Sequence, residues 1–146
     1  MAMFKIWNGP MPTTAAQLAV TTGTAIKTML QAKGVAGMPI TVKAWGVSMD
    51  GAAAAAGVQW ELLETGTVFG TVTALAAADI FAWDAKALGR TSTDFLSVGI
   101  NATGYTCTAE GTIVATRVFD SQFVQPTGQY AWEFSLGNEQ IGRAHV

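Results

Sequence analysis

Apolar and polar residues alternate with a period of two along much of this chain. The alternation is clearest in "PITVKAWGVSM", "GVQWELLET", "GTVFGTVTAL", "GTIVATRVFDSQFV" and "QYAWEFSLG". A period of two is typical of strands that bury one face. Glycines and prolines separate these segments at the spacing found in antiparallel sandwiches and jelly rolls. The sequence therefore predicts an all-β fold, a single antiparallel β-sandwich or jelly-roll-like domain.

The same alternation predicts which side chains face the core. Trp45, Trp60 and Trp132 each share a strand face with other apolar residues. Tryptophan is highly buried on average, so all three are expected in the core. Between residues 40 and 49 the period of two places Thr41 and Lys43 on the face of Trp45.

Three further segments give less regular patterns. "GTAIKTMLQAKG" fits a helix or a strand, and the threonines just before it favour a strand. "ALAAADIFAWDAKALGR" contains good helix formers, and we expect a long connection with a helical turn rather than a core element. Residues 1–17 are expected to form an extended arm, and residues 1–140 to form the domain.

Charge is sparse, and its distribution excludes two classes of partner. Only 12% of the 146 residues are charged, and the net charge is −2. The lysines and arginines are scattered, whereas nucleic-acid binding needs them clustered, so no nucleic-acid partner is expected. No apolar run is long enough to span a bilayer, so no membrane partner is expected either. A neutral surface suits packing against copies of the chain or a partner, and equally suits a sandwich that is merely poor in charge.

The chemistry-bearing residues do not form a catalytic pattern. Cys107 is the only cysteine and lies in an alternating segment, which indicates a small buried hydrophobe. Glu61 and Glu64 are three residues apart, and such positions point to opposite faces of a strand rather than into one cleft. The serines lack a histidine that could activate them. The sequence thus predicts no catalytic residue, no metal site and no cofactor.

Two tryptophans have no apolar partners at strand spacing. Trp7 and Trp83 lie outside the alternating segments. Exposed aromatic rings serve as stacking platforms for sugars or as anchors in protein interfaces. These two residues are therefore the candidates for contact with a glycan or a partner protein.

The only histidine lies in the last six residues, "IGRAHV". These residues back-translate as ATC GGA AGA GCA CAC GTC, which matches the start of a common short-read sequencing adapter, AGATCGGAAGAGCACACGTC. The preceding AG also completes CAG, the codon for Gln140. The match predicts that residues 141–146 are translated adapter and that His145 is not native. On this prediction the gene is truncated, and the sandwich lacks a C-terminal strand after "QYAWEFSLG".

One resemblance covers most of residues 20–139. At "GINATGYTCTAEGTIVATRVFDSQFVQPTGQYAWEFSLGNE", together with "GTAIKTMLQ" and "VKAWGVSMDG", the chain resembles small β-sandwich virion proteins of tailed bacteriophages. The resemblance implies a non-enzymatic capsid decoration protein, located in the virion, that binds the major capsid protein or other virion proteins. It also implies a homo-oligomer, often a trimer. The alternative is a carbohydrate- or receptor-binding module of a phage tail.

Overall fold

The computed structural model describes residues 2–13, 16–83, 95–97, 103–109, 115–135, 140–142 and 144–145. Every strand pairing in these residues is antiparallel, and the only helical element among them is a single 3₁₀ turn at Ala77–Asp79. The strands are β1 Phe4–Lys5, β2 Leu30–Gln31, β3 Ile40–Val42, β4 Ala44–Ser48, β5 Val58–Thr65, β6 Thr71–Ala74, β7 Phe81–Ala82, β8 Gly104–Ala109, β9 Ala115–Val124, β10 Gln129–Glu133, β11 Gln140–Gly142 and β12 Ala144–His145. The prediction of an all-β, antiparallel sandwich-like domain is confirmed.

The strands form one large sheet and three small ones. The large sheet has the order β6-β8-β2-β12-β5-β9, and the two-stranded sheets are β1-β7, β10-β4 and β11-β3. Strands β9 and β10 are consecutive in the chain and joined by a tight turn, in which the Gly128 N–H donates to the Gln125 carbonyl at 2.9 Å. Nevertheless β9 pairs with β5 and β10 pairs with β4. The turn therefore carries the chain from one sheet to another, as at the corner of a sandwich.

The main core lies between the β4–β10 sheet and the β5–β9 end of the large sheet. Its buried members are Trp45 on β4 and Leu62 on β5. Residues that pack around them are Ile40, Val42, Val47, Trp60, Phe119, Tyr130 and Phe134. Trp45 and Trp60 thus contribute to the core as the alternation predicted. Because both layers contribute side chains to this cluster, its packing holds the two sheets face to face.

The face predicted for residues 40–49 is wrong at one point. Ile40 and Val42 pack on the same cluster as Trp45. Unbroken alternation would place Val42 and Trp45, which are three residues apart, on opposite faces. The chain leaves strand geometry at Lys43, between β3 and β4, and resumes in the opposite phase. The Lys43 carbonyl accepts a hydrogen bond from the Phe134 N–H at 2.8 Å. One residue outside the ladder reverses every side chain beyond it.

The expectation that Trp132 is a core residue is also wrong. Trp132 is directly opposite Trp45 in the β10–β4 register, but its exposed fraction is 52%, against 9% for Trp45. Both rings lie on the core-facing side of the β4–β10 sheet, and Trp132 lies at the edge of the area that the core covers. Period two correctly groups residues on a face, but it does not show where that face ends.

A second core cluster lies beneath β6 and β7. Its buried members are Leu75, Ile80 and Leu96. The alanine-rich segment contains the expected helical turn at Ala77–Asp79. The prediction that this segment contributes no core element is wrong, because Leu75 and Ile80 on either side of the turn are buried in the core. Phe4 and Ile6 pack on the same cluster, so the start of the expected N-terminal arm is attached to the domain.

The segment with the ambiguous pattern forms the short strand β2. Met29 and Gln31 are buried, with exposed fractions of 5% and 1%, whereas Ile26 is exposed. The carbonyls of Thr28 and Met29 accept hydrogen bonds from β8 at 2.9 and 3.2 Å. The preference for strand over helix is therefore confirmed.

The final residues take part in the sheets through their backbones. Strand β11 pairs with β3, and β12 lies between β2 and β5 in the large sheet. In the described residues β2 and β5 are joined only through β12. The polypeptide that follows residue 139 therefore occupies a position that any strand-forming sequence could fill.

Deleting residues 141–146 is expected to lower the free energy of unfolding by about 2–4 kcal/mol, because a few backbone hydrogen bonds of about 1 kcal/mol each are lost. Urea denaturation followed by tryptophan fluorescence measures the change. Replacing the six residues with Thr-Val-Thr-Val-Thr-Val should restore most of the stability, since pairing uses the backbone. A deletion without effect would show that β12 does not join β2 to β5 in solution.

Candidate functional site

Strands β1 and β7 form a two-stranded ribbon, and both candidate tryptophans, Trp7 and Trp83, lie close to its strands. Phe4 is opposite Ala82 and Lys5 is opposite Phe81. The Trp83 N–H donates to the Met3 carbonyl at 2.8 Å, which extends the pairing by one residue. Trp7 follows β1 and Trp83 follows β7, so the two tryptophans lie towards opposite ends of one ribbon.

The two faces of this ribbon differ in what they contact. On one face Phe4 packs on the second core cluster, with its ring centroid 5.5 Å from that of Phe95. On the other face Lys5 and Phe81 are both exposed. Side chains alternate along a strand, so burial of Phe4 turns its neighbour Lys5 away from the core.

The outward face presents aromatic rings on both sides of a cation. Phe81 and Trp83 are 40% and 62% exposed, and their rings meet edge to face at 5.4 Å between centroids and 83° between planes. The Lys5 ammonium lies 5.1 Å from the centroid of the Trp7 ring. We call Lys5, Trp7, Phe81 and Trp83 the aromatic face. The sequence interpretation found its two tryptophans and missed Lys5 and Phe81.

A signal for the missed residues exists in the sequence. Phe81 and Trp83 are two apart, as are Lys5 and Trp7, and each pair would share a strand face. The strands are only two residues long, which is too short for alternation to be recognised. Chemically, the rings can stack on the apolar face of a sugar or on apolar side chains, and Lys5 can pair with an anionic group.

A second cluster surrounds Asp120, which faces inward from β9 beside Leu62 of β5. Its Oδ2 accepts hydrogen bonds from Trp45 Nε1 at 3.0 Å and from the Tyr130 hydroxyl at 2.6 Å. Its Oδ1 accepts from Gln122 Nε2 at 3.1 Å and from the Ser121 backbone N–H at 2.9 Å. A carboxylate with two donors on each oxygen is well satisfied in a partly buried position.

These contacts shift two pKa values in opposite directions. Desolvation raises the pKa of Asp120, but the hydrogen bonds from Tyr130, Gln122, Trp45 and Ser121 together outweigh it, so the pKa lies below its ordinary value of 3.8. Desolvation, and then the hydrogen bond to Asp120 and its negative charge, raise the pKa of Tyr130 to about 12. Both shifts favour an ionised Asp120 beside a neutral Tyr130 at neutral pH. With both oxygens occupied by donors, the carboxylate is arranged to orient Trp45 and Tyr130.

The carboxylates considered from sequence have separate partners. Glu61 Oε1 accepts from Gln59 Nε2 at 2.8 Å and from the Ser121 hydroxyl at 3.4 Å. Glu64 accepts a hydrogen bond from Arg117 and forms an ion pair with it. Each glutamate is thus engaged with different residues of the β5–β9 surface.

Cys107 is only partly buried, although the sequence predicted a buried residue. It lines an open depression together with residues 22–27. Thr106, its neighbour, has a φ of 52°, a left-handed conformation that is uncommon outside glycine. The β6–β8 register shifts on both sides of Val72, the residue paired with Cys107. These irregularities interrupt the alternation on which the prediction rested.

The described residues show neither a metal-binding cluster nor a membrane-spanning helix. In that part of the chain no group of three or more histidine, cysteine, aspartate or glutamate side chains could hold a metal ion. No helix within it is long and apolar enough to cross a membrane. The side chain of His145 lies outside what the structure describes.

Comparison with known proteins adds no relative: no family model, curated protein or solved structure matches this chain. Any statement of function therefore rests on the aromatic face, the Asp120 cluster and the surfaces described below.

Substituting Asp120 with Asn is expected to lower the free energy of unfolding at pH 7 by about 1–3 kcal/mol, because charge-assisted hydrogen bonds are lost. The folded-state pKa is depressed, so the stabilisation is complete above the ordinary pKa of 3.8. It is lost as pH falls through the lower folded-state value. The difference between wild type and Asp120→Asn, measured by urea denaturation from pH 7 downwards, should therefore shrink in acid.

The matched control is Asp50→Asn, which makes the same chemical change at an exposed loop position. Its free energy of unfolding should stay within about 0.5 kcal/mol of wild type. A third variant, Tyr130→Phe, removes one donor and should lose less stability than Asp120→Asn. Equal stability of Asp120→Asn and Asp50→Asn would contradict the assigned role.

Proposed function

We propose that this chain is a non-enzymatic structural protein of a bacteriophage virion, of the decoration type that binds the outside of a capsid. The observation that carries the proposal is the exposure of large apolar side chains on several strands of a chain with only 12% charged residues. Exposed apolar groups with little surrounding charge are characteristic of surfaces that other proteins cover. The all-β fold is consistent with the resemblance to small virion proteins.

The outward side of β9 is one such surface. Val118 and Phe123 are 57% and 64% exposed there. Gln59 lies opposite Phe123 and Glu61 opposite Ser121 on the same side of the sheet, and Gln59 Nε2 donates to the Ser121 hydroxyl at 3.1 Å. We call these five residues the β9 face. Its polar centre is already hydrogen-bonded internally, which lowers the desolvation cost of covering it, and its apolar flanks supply the driving force for binding.

The proposal predicts a gene for a major capsid protein beside this one, and shells assembled from that protein should bind the chain. Wild type is expected to co-sediment with such shells, and Phe123→Lys should bind them at least about tenfold more weakly, because a charge replaces a ring that the shell would cover. Ala44→Lys adds the same charge at an exposed position of β4, in the other sheet, and should bind as wild type does.

A chain that does not sediment with these shells would contradict the proposal. Metabolic genes on both sides of the gene would count against it as well. Loss of binding by both lysine variants would show that added charge, rather than the β9 face, controls the interaction.

The aromatic face favours a second candidate function, binding of carbohydrate by a tail-associated module. Trp7, Phe81 and Trp83 lie along one ribbon, and successive rings on an extended surface suit successive sugar units. Lys5 lies among them and favours glycans that carry carboxylate or other anionic groups.

On a glycan array the wild-type chain is then expected to prefer acidic oligosaccharides, and Trp83→Ala to bind them at least about tenfold more weakly. Phe123→Ala is the matched control, because Phe123 is exposed to a similar degree, 64% against 62% for Trp83, on a different surface. Equal loss in both variants, or no glycan binding by wild type, would exclude the aromatic face as a sugar site.

A further inference from the structure

Strand β10 forms an open sheet edge in the part of the chain that the structure describes. It pairs with β4 from Gln129 to Glu133 without a register shift, and no second strand pairs with it among the described residues. Four of its five residues are exposed, and only Tyr130 is half-buried. The backbone N–H and C=O groups on the outer side of such a strand can pair with another strand.

The side chains show on which side the sheet is incomplete. Trp45 and Trp132 are cross-strand neighbours on one face, yet Trp45 is 9% exposed and Trp132 is 52% exposed. The Trp45 ring is covered by Tyr130, at 5.2 Å between centroids, and its Nε1 is bound by Asp120. The core face therefore ends at β10, where Trp132 is only about half covered. A strand added beyond β10 would cover the rest of the Trp132 side chain.

This edge lacks the features that usually prevent strand addition. From Gln129 to Glu133 it has no proline, no lysine or arginine and no bulge, and its only charge is Glu133 at the end. The outer strand of the large sheet, β9, differs in two of these respects. It carries Arg117 and pairs with β5 through two register shifts.

The sequence of β10 is complementary to itself when two copies run antiparallel. With Ala131 opposite Ala131, Gln129 of one copy faces Glu133 of the other, and Tyr130 faces Trp132. The amide of Gln129 can donate to the carboxylate of Glu133, and the aromatic rings form cross-strand pairs on the side of the core. A one-residue slip in either direction would place Trp132 opposite Ala131 or Gln129 and lose these contacts.

We propose that β10 pairs antiparallel with β10 of a second copy about a two-fold axis at Ala131. The result is a four-stranded sheet, β4-β10-β10-β4, in which each Trp132 is covered by Tyr130 of the other copy. The proposal is independent of the virion role, and its two-fold symmetry differs from the trimer that the resemblance implies. A five-residue edge buries a small area, so the dimer is weak and forms in a concentration-dependent way.

Charges placed at Ala131 test both the partner and the register. Ala131 is exposed, and in the dimer its two copies are directly opposed, with Cβ atoms about 5 Å apart. Ala131→Lys and Ala131→Glu should each weaken dimerisation at least about tenfold in sedimentation velocity, because like charges meet at the axis. An equimolar mixture of the two variants should restore the dimer as a Lys–Glu pair.

Ser48→Lys and Ser48→Glu are the matched controls. Ser48 is opposite Gln129 on β4, exposed on the same side of the sheet as Ala131 but one strand further from the axis. Both control variants should dimerise as wild type does. Circular dichroism on every variant separates a lost dimer from a lost fold.

Three results would overturn the proposal. The first is a wild-type chain that stays monomeric over the whole concentration series. The second is association that neither charge at Ala131 affects, which would place the contact elsewhere. The third is a mixture that fails to recover the dimer although both variants are folded, which would exclude the Ala131 axis and leave β10 as a site for a different strand.

Discussion

The Asp120 carboxylate fixes how the two sheets at the main core face each other. It lies on β9 and binds Trp45 on β4 and Tyr130 on β10, so a single group connects strands of both layers. Four hydrogen bonds satisfy this partly buried charge, and each donor side chain then takes one orientation. The Trp45 ring is held against the core beside Leu62, and Tyr130 is held against Trp45. The placement of β10, and with it the exposure of Trp132, follows from this arrangement.

The surfaces open to partners arise because small sheets bury only one face. The β1–β7 ribbon places Phe4 on a core cluster, and alternation then turns Lys5 and Phe81 outward. The β5–β9 pair places Leu62 and Asp120 inward and leaves Phe123 outward in the same way. These outward faces are unusual because they carry aromatic residues, whereas the solvent face of most antiparallel sheets carries polar residues. Aromatic rings in such positions are better explained by contact with another molecule than by folding alone.

Period-two alternation predicted the fold class, the strands β4, β5, β9 and β10 and the inward position of Trp60. It could not predict the phase change at Lys43, because one residue outside a ladder leaves no trace in composition. It also overestimated the burial of Trp132, since alternation is a property of one strand while burial depends on the strands that flank it. Asp120 was missed for a related reason. A single carboxylate in an alternating segment is usually solvated, and only the approach of other strands supplies the donors Trp45 and Tyr130. Of the aromatic face, the two tryptophans were found because they lacked a core pattern.

The proposed contacts would couple folding to assembly in this chain. The two core clusters in the described residues contain few fully buried side chains, while Phe81, Trp83, Phe123 and Trp132 remain largely exposed. A small domain gains limited stability from its own core, so each ring covered by a partner adds a substantial fraction to the total. A partner that binds only the folded state stabilises that state by mass action. Exposed rings and an open β10 edge then act in the same direction, because both convert contact with another chain into stability. On the proposed function, a chain with few charged residues that binds other proteins can place apolar groups outside its core for this reason.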